Sequence, residues 1–145
     1  MKTREFFSNV DHDKIVAAIA DAEKHTSGEI RVYVSHRNVQ DVRHAAGHQF
    51  IKLGMDKTKH RNGVLIFVAP GSRNFAILGD TAVHAKCGEA FWEQVTAEMR
   101  QHFQKGEFTA GLVHAIHAAG KLLAEHFPPQ GPGTNELPNS VVDDR

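Results

Sequence analysis

One cysteine, Cys87, stands in 145 residues, so no disulfide can close within the chain and nothing calls for an oxidising compartment. No apolar run reaches the roughly 18 residues that a membrane-spanning helix needs. None of signal-peptide length follows Lys2 and Arg4. The expected location is therefore the cytoplasm. An excess of either charge is missing as well: Lys+Arg and Asp+Glu number 17 each. Polyanion-binding domains carry a basic excess, which argues against DNA or RNA as principal partner. There is no Gly-rich phosphate loop, so nucleotide hydrolysis has no direct support. Proline is scarce before residue 128. Four of the five (Pro128, Pro129, Pro132, Pro138) fall from there on, beside Gly131 and Gly133, and the reading there is a flexible tail over 128–145.

What remains is an ordinary globular composition, 41% hydrophobic and 23% charged. It suits one domain over 1–127 with a single unstapled core. Histidine is the outlier at eleven, so a chain neutral at pH 7 becomes strongly cationic near pH 5.

Apolar spacing orders the elements as α-β-α-β-β-α-α. Ile15, Ala18, Ile19 and Ala22 form a helical stripe and predict a helix over residues 10–25, capped by Ser8 with Asp11. Over 29–36, Ile30, Val32 and Val34 alternate with Arg31, Tyr33 and Ser35, the period of a strand. A helix over 39–53 presents Val39, Val42, Ala46, Phe50 and Leu53. Val64-Leu65-Ile66-Phe67-Val68 does not alternate, so the strand over 63–69 is expected to be central, covered on both faces and more buried than the first. Pro70-Gly71-Ser72 turns the chain into an antiparallel strand over 73–78. A short turn or helix over 81–86 leads to a helix over 89–104 with Phe91, Trp92, Val95, Met99 and Phe103 inward. The last helix, over 109–127 with Thr109 as cap, buries Leu112, Ile116, Ala119, Leu123 and Phe127. The first two strands form a right-handed parallel crossover. The expected fold is α/β: a three-layer α/β/α sandwich on a small mixed sheet, combining that crossover with an antiparallel hairpin.

Four segments in this order carry a resemblance. They are Thr26-Ser27-Gly28-Glu29-Ile30-Arg31-Val32, Asn62-Gly63-Val64-Leu65-Ile66-Phe67-Val68-Ala69, Arg73 with Ile77-Leu78-Gly79-Asp80, and Phe103-Gln104-Lys105-Gly106-Glu107-Phe108 with Gly111-Leu112. Together they resemble the TPM-domain family, which includes a thylakoid acid phosphatase and photosystem II repair proteins. The resemblance spans about 10–127. It implies an α/β/α sandwich, divalent-cation binding in some members, phosphatase activity in one branch and action through protein partners in others. Gly79-Asp80 departs from the Gly-aromatic-Gly pattern of many members.

Candidate sites follow. Glu29 begins the first strand, Asp56 lies in the loop entering the second, and Asp80 leaves the antiparallel third, so all three acids fall at one edge of the sheet. With the resemblance, this makes Asp56 and Asp80, and Glu29 as a weaker third, candidate ligands for Ca2+ or Mg2+, which take carboxylate oxygens. Asn62 or Ser27 are candidates to complete the shell. The competing reading is solvated loop acids, with Asp80 a helix cap. At the opposite edge, Ser35, His36, Arg37, Asn38, Ser72 and Arg73 offer groups that hold phosphate, or make up an ordinary polar loop. His44 and His48, with Asp41, have chelating spacing but face away from the apolar stripe; His114 and His117 read the same way. Cys87 beside Lys86 is either a thiol of lowered pKa or an inert one. The first functional reading is a binding or accessory domain with a divalent cation and a protein partner of unknown identity. The alternative is a metal-assisted phosphatase acting on phosphomonoesters.

Overall fold

A strand as continuously apolar as 64–68 folds only where both its faces are covered, and the chain supplies that cover from both sides. The computed structural model describes residues 3–129, 139 and 141–143. Its elements are α1 (Thr3–Ser8), α2 (His12–Glu23), β1 (Glu29–Val34), α3 (Val42–Lys52), a 3-10 turn at Met55–Lys57, β2 (Gly63–Ala69), a second 3-10 turn at Pro70–Ser72, β3 (Asn74–Gly79), α4 (Thr81–Gln104), α5 (Phe108–His126) and β4 (Val142–Asp143). The sheet order is β3-β2-β1-β4. β1 and β2 run parallel from Glu29 opposite Gly63 to Val34 opposite Val68. β3 returns antiparallel, Val64 opposite Gly79 and Ala69 opposite Asn74.

One sheet face carries Ile30, Val32, Val34, Val64, Ile66, Val68 and Ile77. It packs on the stripes of α2, α4 and α5, including Ile15, Ile19, Met99, Ile116 and Leu123. The other face carries Tyr33, Leu65, Phe67 and Ala76, covered by Ala46 and Phe50 of α3 and by Met55. The sandwich is therefore three-layered, with an open mixed sheet between helices.

The structure corrects several details. All six residues of β1 are buried, only slightly less than those of β2, because Tyr33 packs with Leu65, Phe67, Ala46, Phe50 and Met55 on the face that was expected to be open. The chain breaks between α1 and α2. Asp11, not Ser8, caps α2 by accepting the Lys14 N–H, while the Ser8 hydroxyl donates to the Glu5 carbonyl. The Thr109 hydroxyl does not cap α5; it accepts the Asp11 N–H at 3.0 Å and ties the starts of α2 and α5 together. α4 runs on from Thr81 through a kink at Gly88, whose φ of 70° suits glycine. Within the stretch read as a tail, residues 142–143 pair parallel to β1 at Tyr33 and Val34, with Val141 against the core. Most of the remaining tail, residues 130–138 among it, lies outside the described residues.

Two glycines test the packing in opposite directions. A Cβ on Gly120 of α5 would sit 2.6 Å from the Ala22 Cβ of α2, whereas one on Gly47 of α3 meets nothing within 4 Å. Alanine favours a helix over glycine by about 1 kcal/mol, but overpacking costs about 1–3 kcal/mol. Gly47→Ala is expected to raise the melting temperature and Gly120→Ala to lower it. Thermal unfolding of the two variants side by side checks this.

Candidate functional site

The parallel strands begin at a polar end built by short side chains. Thr26, Ser27 and Asn62 are all buried. The Thr26 hydroxyl meets the Leu123 carbonyl at 3.1 Å and the Phe127 carbonyl, and it accepts the Gly28 N–H at 3.0 Å. The Ser27 N–H donates to the Phe127 carbonyl at 2.9 Å. Asn62 Nδ2 donates to the Ser27 hydroxyl at 3.1 Å, linking the approach to β1 with the approach to β2. Gly28 is pinned between them, since a Cβ there would lie 2.9 Å from a Leu123 methyl and 3.1 Å from the Asn62 carbonyl. The Thr-Ser-Gly and Asn-Gly segments thus fasten α5 to the strand starts.

All three predicted acids come to this end. Glu29 opens β1 opposite Gly63 and is 2% exposed. Met55, next to Asp56, packs on Gly63. The Asp80 N–H donates to the Gly63 carbonyl. Their side chains do not converge on one point: among the described residues, no group of three or more His, Cys, Asp or Glu is arranged to hold a metal ion. Asp80 is committed instead. Its carboxylate accepts Arg61 Nε at 2.8 Å and Nη2 at 2.9 Å, and it caps α4 by accepting the Thr81 N–H at 2.7 Å.

Arg61 is the residue that sequence spacing did not single out. Its guanidinium is clamped in the two-bond geometry that suits carboxylates. Hydrogen bonding to Asp80 and the Asp80 charge, with a smaller contribution from Asp56, raise its pKa above the ordinary arginine value. A fixed cation therefore lies against Asp80 within the field of Asp56. Beside it, Asp56 Oδ1 and Thr58 Oγ1 are buried without a hydrogen-bond partner among the described residues.

A second charged group was also illegible in the alternating pattern of β1. Glu29 and Arg31 share the sheet face that carries Tyr33, and both are buried. Glu23, ending α2, accepts the Ile30 N–H at 2.8 Å. Among the described residues β4 pairs with Tyr33 and Val34, and lower down β1 it is Glu23 that receives the Ile30 N–H. Burial lifts the Glu23 carboxyl from 4.5 to about 7; the Glu29 charge adds to the rise, while the Ile30 hydrogen bond and the Arg31 charge oppose it. The signal available in the sequence was the spacing of Glu29 and Arg31, which puts opposite charges on one strand face.

The remaining candidates are mostly structural. The Ser35 hydroxyl accepts the Arg37 N–H, the Ser72 hydroxyl accepts the Val39 N–H, and Asn74 Nδ2 donates to the Val39 carbonyl. Asp41 caps α3 through the His44 N–H, while His44 and His48 are exposed. His114 is not simply solvated: it pairs with Glu98 across the α4–α5 contact. Burial pushes the Cys87 thiol up, opposite to what its Lys86 neighbour suggested.

A three-layer sandwich with a polar clasp beneath one parallel strand pair defines a small α/β domain. A family model for the TPM domain matches residues 1–122, and the chain belongs to that family. A solved NMR structure, that of the BA42 protein from the psychrophilic bacterium Bizionia argentinensis, is similar at 39% identity with a TM-score of 0.83. That match covers 93% of this chain and 95% of the other. No curated protein matches. Among the described residues, no helix is long and apolar enough to cross a membrane.

Glu23 gives a signed pH dependence. Between pH 4.5 and about 7 the folded chain holds a proton that the unfolded chain has released, so this group makes stability fall as pH rises through that window. Glu23→Gln keeps an acceptor for the Ile30 N–H and cannot ionise. It is expected to stabilise the protein at pH 8 by roughly 1–2 kcal/mol, taking about 1.4 kcal/mol per pH unit and discounting for partial exposure. Little change is expected at pH 4.5. Urea unfolding at both pH values checks it; equal effects at the two would remove the assignment.

Proposed function

We propose that this TPM domain is a binding module, acting with a protein partner, that takes a hard divalent cation at the end of the sheet where Asp56, Asp80 and Glu29 lie. The observation that carries the reading is Arg61. A guanidinium already holds the Asp80 carboxylate and feels Asp56, which supports a positively charged occupant at this end. The Arg61 side chain is 47% exposed and has a route out to solvent. Asp56 Oδ1 and the Thr58 hydroxyl are buried oxygens whose hydrogen-bonding capacity is unmet among the described residues. Oxygen donors of this kind suit Ca2+ or Mg2+ rather than a softer metal. Asp56, Asp80 and Thr58 would hold the ion, with Glu29 near it. The ion would neutralise the acids when Arg61 swings away.

Binding to the folded chain alone stabilises it by about 2.7 kcal/mol at a hundredfold excess over Kd. Millimolar Ca2+ or Mg2+ is therefore expected to raise the melting temperature. Asp56→Asn should abolish most of the rise. Arg61→Gln should enlarge it, because the competing cation is gone. A melting temperature that stays flat with both ions, in the native chain and in Arg61→Gln, overturns the cation reading. Cation-dependent turnover of a phosphomonoester would replace the binding module with a metal-assisted phosphatase.

A further inference from the structure

The other end of the sheet holds a cavity of about 490 Å³, between the β2–β3 turn, α1 and the α4–α5 turn. Its size falls within the roughly 300–1,000 Å³ of small-molecule sites. Four phenyl rings form its apolar wall: Phe6 and Phe108, both buried, with Phe75 and Phe103 half-buried. They lock one another edge-on or tilted, Phe6 to Phe108 at 5.1 Å, Phe75 to Phe103 at 5.4 Å and Phe103 to Phe108 at 5.6 Å between centroids. A wall fixed in this way is largely preformed.

The charged residues that line it are Arg73 and Arg100, both exposed. No Asp or Glu is among the described lining residues. Arg100 lies over the Phe75 ring at 5.2 Å, so its guanidinium is held at the apolar wall by cation–π attraction. Neither arginine has a carboxylate partner among the described residues, in contrast to Arg43 and Arg61. Arg73 also keeps a left-handed backbone, φ 55°, where glycine or asparagine is the usual occupant.

We propose that this cavity binds a small organic carboxylate with a ring-sized apolar body, the body against the phenyl rings and the carboxylate between Arg73 and Arg100. A guanidinium matches a planar carboxylate in charge and shape, and two of them line this cavity. The phenyl wall gives a bare inorganic anion nothing to bind, and an uncharged body leaves both arginines unused.

The test is a 1H–15N correlation titration of the full chain with 4-phenylbutyrate, 4-phenylbutyramide and inorganic phosphate. 4-Phenylbutyrate is expected to shift the amides of Asn74, Phe75 and Gly106 saturably. The amide should bind about fivefold or more weakly, and phosphate should give no saturable shift there. Arg73→Gln and Arg100→Gln should each weaken 4-phenylbutyrate about fivefold or more while leaving the amide unaffected. Lys52→Gln, on α3 across the sheet, should change nothing. Both arginines are exposed, and an unchanged melting temperature shows that the variants fold; since Arg100 also holds Phe75, Arg73→Gln is the cleaner reading of charge. Equal affinity for acid and amide, indifference to Arg73→Gln, phosphate binding as tightly as 4-phenylbutyrate, or shifts elsewhere in the chain would each overturn the proposal.

Discussion

Parallel pairing of β1 with β2, each buried on both faces, sets the terms for everything around it. A parallel pair needs a crossover, and α3 with the Met55–Lys57 turn makes it while covering one face. The other face then needs its own layer, supplied by α2, α4 and α5. Buried strand starts leave backbone groups that water cannot reach. The short polar side chains of Thr26, Ser27 and Asn62 meet that need, and they do so by gripping the end of α5. The Ile30 N–H, below the described pairing of β4 with Tyr33 and Val34, is met by Glu23. The raised pKa of Glu23 follows from the burial that this position beside β1 imposes on its carboxyl.

Much of this was legible because it rests on local pattern. The apolar run of β2 and the stripes of α2 and α5 name their own buried residues, and Gly63–Ala69 is bounded as the sequence predicts. The burial of β1 was not legible. Its alternation of Ile30, Val32 and Val34 with Arg31 and Tyr33 reads as one wet face, and only tertiary packing on that face makes it dry. The acid end was legible in part. Topology sends Glu29, Asp56 and Asp80 to one edge, but the reach of Arg61 to Asp80 depends on the path of a polar loop with no periodicity to read. α1 was missed for a related reason. Six residues are too short to show a helical stripe, and Phe6 finds its place only through Phe103 and Phe108, about a hundred residues further on.

The two ends of the sheet divide the chemistry between them. At the strand starts the surroundings are oxygen-rich and the arginine is paired. At the far end the surroundings are phenyl-rich and the arginines lack carboxylates among the described residues. The same side chain therefore does opposite work. Arg61 neutralises acids that the fold has gathered, while Arg73 and Arg100 present uncompensated positive charge beside an apolar wall.

Backbone conformation sharpens this contrast. Arg61 and Arg73 are the two non-glycine residues at positive φ among those described, 52° and 55°, one preceding β2 and the other following its turn. Such conformations cost on the order of 1–3 kcal/mol at a residue with a Cβ. A glycine at either place would relieve the backbone and forfeit the guanidinium. The strain at Arg61 is offset locally, because its two hydrogen bonds to Asp80 are charge-assisted and fix the start of α4 as well. Arg73 has no such return within the described residues: its backbone N–H reaches Pro70, and its guanidinium is left at the edge of the cavity. The left-handed backbone at Arg73 thus leaves a charge beside four phenyl rings, the arrangement that the proposed carboxylate site uses.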